Sequence, residues 1–127
     1  LRRRSLLRLS RAGWWREKGM AEAKQTTTRL RHYTRKNSKE RILADGQLLA
    51  RDQNKIFVES AEREPLSPRD AEARYLLKRG KGNAYVEFDA HPEEIHEQTN
   101  HLTGAVELFL SGNAALSGRN PQGFDNP

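Results

Sequence analysis

Two stretches of the chain alternate apolar and polar residues with a period of two, which is the spacing of a β-strand that buries one face. NAYVEFDA, residues 83–90, sets Val, Phe and Ala against Tyr, Glu and Asp. GAVELFLSG, residues 104–112, sets Val, Leu and Leu against Ala, Glu and Phe. A helix would scatter these apolar residues around its axis. The chain is therefore constrained to build a sheet with one apolar face.

Two further segments have strand character and two have helix signals. RLRHYT, residues 29–34, alternates, and KIFVES, residues 55–60, is a short β-prone run. A first helix is predicted to be capped by Asn37 and to end at Gly46, and a second begins with Ser67 as N-cap and Pro68 at the first helical position and stops before Gly80. The order strand, helix, strand, helix, strand, strand predicts an α+β fold with a split or strongly bent antiparallel-rich sheet around a cleft.

Length and composition narrow the function classes. The 127 residues suit one domain, and no apolar run is long enough to span a bilayer. The absence of cysteine excludes disulfides, cysteine-based zinc sites and a thiol nucleophile. The formal charge of +6 resides in residues 1–19, whereas from Met20 onward basic and acidic residues are equal in number. We therefore predict a basic leader or linker at 1–28 and a folded domain at 29–127.

The basic leader has several readings. The Arg3-Arg4 pair suggests an export signal, but no apolar stretch follows it. A linker, or sequence ahead of a start at Met20, is favoured. A basic tail that touches phosphate or membrane through Trp14 and Trp15 remains open.

Three familiar kinds of site are not supported by the spacing. His91, His96 and His101 recur every five residues, a poor repeat for metal ligands on a helix, and no metal site is predicted. KRGKGNA lacks the strand and the Lys-Ser/Thr pair of a phosphate-binding loop, and no serine lies in a Gly-x-Ser-x-Gly turn.

An ordered set of residues is more informative: His32 on the first strand, Phe57 on the second, Tyr75 on the following helix and Glu107 on a late strand. With LRHYT, ILADGQL, IFVES, LSPRDAEA, GNAYVEFDA and TGAVELFLSG, this order resembles the ADP-ribosyltransferase superfamily, in the branch that diphtheria toxin shares with the poly(ADP-ribose) polymerases. It is most similar to the small C-terminal ADP-ribosyltransferase domains of bacterial polymorphic toxins, from about Arg29 to Asn120.

The resemblance implies NAD as substrate and gives each residue an expected role. Glu107 is expected to be the catalytic acid that steadies positive charge on the nicotinamide ribose, with Glu87 and Asp89 as competitors. Phe57, where tyrosine is usual, and Tyr75 are expected to hold the nicotinamide ring.

The histidine strand is expected to supply the remaining NAD contacts. The resemblance implies that His32 bonds the 2′-hydroxyl of the adenosine ribose and that backbone groups at Tyr33 or Thr34 hold the nicotinamide amide. Arg31 or Arg35 is expected to face the pyrophosphate from the rim of the cleft.

The predicted function is an NAD-dependent mono-ADP-ribosyltransferase toxin domain that modifies a protein or RNA in a competing cell. The resemblance further implies delivery by a bacterial secretion system into the target cytoplasm, a carrier polymorphic toxin upstream, a cognate immunity protein with acidic groups facing Arg31 and Arg35, and no membrane partner. The alternative is a small basic module that binds nucleic acid or acts on RNA without NAD chemistry.

Overall fold

A computed structural model of the chain describes residues 26–127. The predictions made for the basic leader lie outside these residues. Within 26–127, no helix is both long and apolar enough to cross a membrane.

The described chain forms eight strands and two α-helices, and two single-turn 3₁₀ helices connect some of them. The strands and helices, in chain order, are β1 Thr28–Thr34, α1 Lys36–Asp45, β2 Gln47–Leu48, β3 Lys55–Ser60, α2 Pro68–Tyr75, β4 Ala84–Ala90, β5 His96–Thr99, β6 Val106–Ser111, β7 Ala114–Ala115 and β8 Gln122–Asp125.

Six strands form one antiparallel sheet in the order β5-β6-β3-β1-β4-β8, and β2 pairs with β7 in a small second sheet. The sheet with two short helices confirms the predicted α+β class. The alternation of β4 is also confirmed, because Val86 and Phe88 are fully buried while Tyr85 and Glu87 are only partly buried. The apolar face carries the core, which joins Leu30, Leu48, Ile56, Val58, Val86, Phe88, Leu110 and Leu116 among others.

The central strand β1 is paired very differently on its two sides. Against β4 it runs for seven residue pairs, from Thr28↔Ala90 to Thr34↔Ala84. Against β3 it has two, Leu30↔Ser60 and Arg31↔Glu59. The sheet therefore splits beyond Arg31, and this split is what opens the cleft.

The helix signals were right at two of the four helix ends and wrong at the other two. Ser67 caps α2 as predicted, since its Oγ accepts a hydrogen bond of 3.1 Å from the Asp70 backbone N–H. The helix ends eight residues later because Leu76 takes a left-handed conformation, well before Gly80. Asn37 does not cap α1, whose N-cap is Arg35, whereas Gly46 ends α1 as predicted.

Sequence reasoning also missed part of the sheet. Two edge strands, β5 and β8, lie in segments for which the sequence predicted neither a strand nor a helix. Val106, predicted to face the core, is 53% exposed. It starts β6 two residues before the part of this strand that pairs with β3. Both edge strands are short and polar, which gives no period-two apolar signal.

Candidate active site

A cavity of about 390 Å³ lies where β1 and β3 separate. Its walls come from β1, β3, α1 and the segments that follow α1 and α2. A volume of a few hundred Å³ is typical of small-ligand and cofactor sites. Six of the ten residues proposed from sequence line it: Arg31, His32, Tyr33, Thr34, Phe57 and Tyr75.

The backbone at the split leaves hydrogen-bonding groups turned toward this opening. The Arg29 carbonyl accepts from the Ala61 N–H at 2.9 Å, across the β1–β3 gap. Backbone direction alternates along a strand, so Tyr33, four residues on, directs its N–H and C=O to the same side. A continued ladder would pair Tyr33 with Phe57, but the Phe57 carbonyl is bonded to His32 Nδ1 at 2.8 Å instead.

That bond fixes the chemical state of the histidine. A carbonyl oxygen only accepts, so Nδ1 of His32 carries the proton and donates. Desolvation by burial, opposed by this bond, lowers the pKa of His32 below its ordinary 6.5. The imidazole is therefore neutral at pH 7, with the lone pair of Nε2 left to accept a hydrogen bond from a ligand hydroxyl.

Aromatic rings occupy the neighbouring wall. Phe57 packs against Phe109 with centroids 6.1 Å apart, and Tyr75 against Tyr33 at 6.0 Å. Phe57 and Tyr75 both line the cavity. Two such rings can pack against a flat heterocycle placed in the cavity.

Behind these rings lies a buried carboxylate that sequence reasoning missed. Glu59 is 3% exposed and accepts hydrogen bonds from Tyr33 OH at 2.7 Å and Tyr75 OH at 2.6 Å. Burial, followed by the Glu59 bond, raises the pKa of Tyr33 to about 12 and raises that of Tyr75 further. The motif IFVES gave no sign of this, because a glutamate in a strand is usually solvated.

Arg31 does not lie at the rim of the cleft, as the sequence had suggested. It is 2% exposed, and its guanidinium forms ion pairs with Glu59 at 2.7 Å and with Glu87 at 3.0 Å. It also donates to the Ala61 and Arg63 carbonyls. An arginine so fully engaged holds β1 to β3 and β4, and its expected contacts with a pyrophosphate and an immunity protein stay predictions.

Cations other than Arg31 also line the cavity. Arg41, on an exposed face of α1, and Arg51 and Lys81 all contribute to the wall. Asp45 is the one acidic residue among the lining residues of the described chain. Arg35, the second predicted rim cation, caps α1 and donates to the Arg79 carbonyl at 3.0 Å. The cavity is thus cationic although the described domain as a whole is close to neutral.

Glu107 lies one strand away from the cavity wall. Paired residues of antiparallel strands share a face, so the pair Phe57↔Phe109 puts Glu107, two residues before Phe109, on the face of Phe57. Its carboxylate is 5% exposed and is approached by Asn100 Nδ2 at 3.2 Å and Gln98 Nε2 at 3.5 Å.

The two competing acids are held by arginines. Glu87 pairs with Arg31, and Asp89 pairs with Arg29 at 3.0 Å and accepts from Asn120 at 2.9 Å. These bonds lower the pKa of Asp89 against the opposing effect of burial, which is the largest single influence. Of the three candidate acids, Glu107 is contacted by amide donors rather than by cations.

Comparison with known proteins gives one match. A family model described as "HYD1 signature containing ADP-ribosyltransferase" matches residues 30–119, which is most of the chain. The chain belongs to this ADP-ribosyltransferase family. No curated protein and no solved structure shows significant similarity to the chain.

The ADP-ribosyltransferase match confirms the resemblance noted from the motifs. It begins on β1 and ends after β7, so it contains the split of the sheet and all ten residues proposed from sequence. It stops before β8, the edge strand that pairs with β4 through residues 84–87. The matched region therefore contains every residue that lines the cavity.

His91 and His96 have separate surroundings in this ADP-ribosyltransferase domain. His96 lies on β5, where its ring packs 5.3 Å from that of Phe109, and His91 precedes a 3₁₀ turn. Across residues 26–127 no three His, Asp or Glu side chains are grouped as metal ligands would be.

Proposed function

We propose that this domain is an NAD-dependent mono-ADP-ribosyltransferase toxin that transfers ADP-ribose to a macromolecule of a competing cell. The observation that carries the proposal is the cavity at the split of the sheet. There a neutral histidine, open backbone groups, two aromatic rings and several cations converge, and Glu107 lies on the neighbouring strand.

The lining residues suit the parts of a dinucleotide. Nε2 of His32 can accept from a ribose hydroxyl, and the N–H and C=O of Tyr33 can pair with a carboxamide, which has both a donor and an acceptor. Phe57 and Tyr75 offer ring faces to nicotinamide. Arg41 and Lys81 can neutralise a pyrophosphate, the role that the sequence had given to Arg31.

Glu107 has the properties that the transfer requires of its acid. The bond between nicotinamide and its ribose breaks, nicotinamide leaves with the bonding electrons, and positive charge develops on the ribose before the acceptor attacks. A fixed carboxylate stabilises that charge, and a buried one does so more strongly than a solvated one. Asn100 and Gln98 hold the carboxylate without neutralising it.

The partners proposed with this function follow from the kind of toxin. The acceptor is a protein or RNA, delivery uses a bacterial secretion system and a carrier polymorphic toxin, and the target is the cytoplasm of a competing cell. A cognate immunity protein would cover the cavity. Its acidic groups would face Arg41 and Arg51, which are exposed, rather than Arg31, which is buried.

NAD turnover tests the proposal. The domain is incubated with NAD labelled in the adenine ring and a cell lysate, and nicotinamide release and label transfer are measured. Glu107→Gln should reduce turnover by about 10³-fold, the scale at which removal of one electrostatic contact affects catalysis. Glu97→Gln on the exposed side of β5 is the matched control and should retain full turnover.

Two outcomes would overturn different parts of the proposal. Equal turnover by Glu107→Gln and wild type would remove Glu107 from the reaction while leaving the activity in place. No nicotinamide release with lysates of several unrelated bacteria, from a domain shown by circular dichroism to be folded, would reject NAD chemistry.

A further inference from the structure

Glu59 makes contacts for which the proposed reaction has no need. Besides the two tyrosine hydroxyls it accepts from Arg31 Nη1 at 2.7 Å, and the guanidinium of Arg63 lies 3.8 Å away. An ionised carboxylate has about four acceptor positions, so three short bonds nearly fill it. The group is buried, charged and well paired, which makes it a fixed point in the domain.

The three short partners share a location. Arg31 and Tyr33 come from β1 and Tyr75 is the last residue of α2, and all three line the cavity. Glu59 lies behind them on β3, in the last β1–β3 pair, Arg31↔Glu59. One carboxylate therefore fastens three side chains of the cavity wall from outside the cavity.

The bond to Tyr75 has a specific geometric effect. The hydroxyl proton is donated to Glu59 Oε1 at 2.6 Å, so this end of the side chain is turned into the domain. What the cavity receives is the ring, and the ring is anchored at both its Cβ and its hydroxyl. A side chain held at two points loses little further entropy when a ligand packs on it.

We propose that Glu59 is a positioning residue that holds the ring of Tyr75 in place for the nicotinamide of NAD. This inference rests on the proposed NAD-cleaving function. Glu59 acts through Tyr75 and touches neither the substrate nor the reacting atoms. Glu59 keeps this part of the cavity wall ordered before NAD binds.

A double-mutant cycle separates positioning from a general structural role. Tyr75→Phe removes the hydroxyl and keeps the ring, and Glu59→Gln removes the charge and keeps the shape. Each should raise KM for NAD by about tenfold, which is the scale of a hydrogen bond to a charged group. The double variant should be no worse than the poorer single variant, and kcat should change much less than KM in all three.

The control is a carboxylate with an arginine partner that lies away from the cavity. Glu94→Gln breaks the 2.7 Å pair with Arg119 and should leave KM for NAD at the wild-type value. If the increases in KM caused by Glu59→Gln and Tyr75→Phe multiply in the double variant, the inference is overturned. A Tyr75→Phe variant with unchanged KM would also overturn it, a result that is available even if Glu59→Gln fails to fold.

A second measurement does not depend on NAD. In the wild type the two edges of the Tyr75 ring should give separate NMR signals because the ring flips slowly, and in Glu59→Gln they should merge. A ring equally ordered in both proteins rejects the inference. A wild type with an ordered ring and no NAD cleavage would instead reject the proposed function alone.

Discussion

The two sides of β1 use the same strand for opposite purposes. Toward β4 the strand makes a ladder of seven pairs without interruption, and the side chains between them are fully buried at Val86 and Phe88. Toward β3 the ladder has two pairs, and a side chain, His32, takes the carbonyl that the next rung would need. Backbone hydrogen bonds close the β4 side of the strand, and the His32 side chain interrupts the ladder on the β3 side. We call these the closed side and the open side.

This difference shows how a small domain can afford a polar cavity near its centre. The closed side and the apolar face of the sheet supply most of the buried apolar area, which is the main source of stability. The open side keeps hydrogen-bonding groups accessible, and its few rungs are reinforced by buried polar bonds around Arg31 and Glu59. We expect changes on the two sides to affect different measurements.

The largest expected effect comes from a pair of phenylalanines. Phe88→Ala, on the closed side, should lower the free energy of unfolding by about 3–5 kcal/mol because it leaves a cavity in a fully buried region. Phe57→Ala, on the half-buried open side, should cost about half as much. It should instead weaken NAD binding by about tenfold through loss of a ring contact.

Urea unfolding and NAD titration of both variants test this contrast. A Phe57→Ala variant as unstable as Phe88→Ala would mean that the open side is also a core, and the comparison would fail. An unchanged affinity for NAD in Phe57→Ala would remove this ring from the site.

The strands that sequence could predict are those that carry an alternating pattern of their own. Period-two alternation identified β4, whose apolar residues all face the core, and β6, whose Leu108 and Leu110 contact it. The Ser67 cap was predicted because a helix cap depends only on residues a few positions away in the sequence. The edge strands β5 and β8 were missed because pairing with a neighbour, and not their own pattern, makes them strands.

The site was predictable where a motif carries it and unpredictable where contacts carry it. The order of His32, Phe57 and Tyr75 led to one cavity, although their roles stay predictions. The buried state of Arg31 depends on Glu59 and Glu87, which lie 28 and 56 residues further along the chain. Such long-range pairs leave no trace in a single sequence.

The second prediction concerns the histidine that opens the ladder. The pKa of His32 is lowered below 6.5 in the folded state, so the unfolded chain binds the additional proton first as the solution is acidified. Its contribution to stability is complete above pH 6.5 and is lost as the pH falls below that value, by at most about 1.4 kcal/mol per pH unit. Protonation of the folded protein would also turn Nε2 from an acceptor into a donor, so affinity for NAD should fall at a lower pH, as the pH passes the depressed pKa of the folded state.

NAD titrations from pH 8 to pH 5 measure this effect. His32→Gln places at the position an amide, which has a donor and an acceptor but does not titrate. The affinity of this variant for NAD should therefore be weaker and independent of pH. The exposed His96 provides the control, and His96→Gln should keep the wild-type pH profile. A pH profile that His32→Gln leaves unchanged would assign the titration to another group.

A smaller effect is expected from the cations of the open side. Arg41→Gln should weaken NAD binding by about threefold and adenosine binding hardly at all, since an exposed charge contributes less than about 1 kcal/mol to a phosphate contact. Lys36→Gln on the same helix, outside the cavity lining, should change neither. The difference between NAD and adenosine should shrink at 0.5 M salt, and a loss that persists there would argue against an electrostatic origin.

The smallest effect belongs to the closed side, where an ion pair ties the segment before β8 to the segment after β4. Arg119 bonds Glu94 at 2.7 Å and the Asp89 carbonyl at 3.1 Å, and its hydrogen bond lowers the pKa of Glu94 to about 2. Glu94→Gln should reduce the free energy of unfolding by about 0.5 kcal/mol at pH 7, the scale of a partly exposed pair.

Acid should abolish that difference. Because the folded-state pKa of Glu94 is depressed from 4.5, its contribution is complete above pH 4.5 and is lost as the pH falls toward 2. Wild type and Glu94→Gln should therefore converge in stability at pH 2 to 3. NAD affinity at pH 7 should be the same for both, because this pair holds the side of β1 that has no opening. A shared loss of stability and affinity would show that the two sides are mechanically coupled through β1.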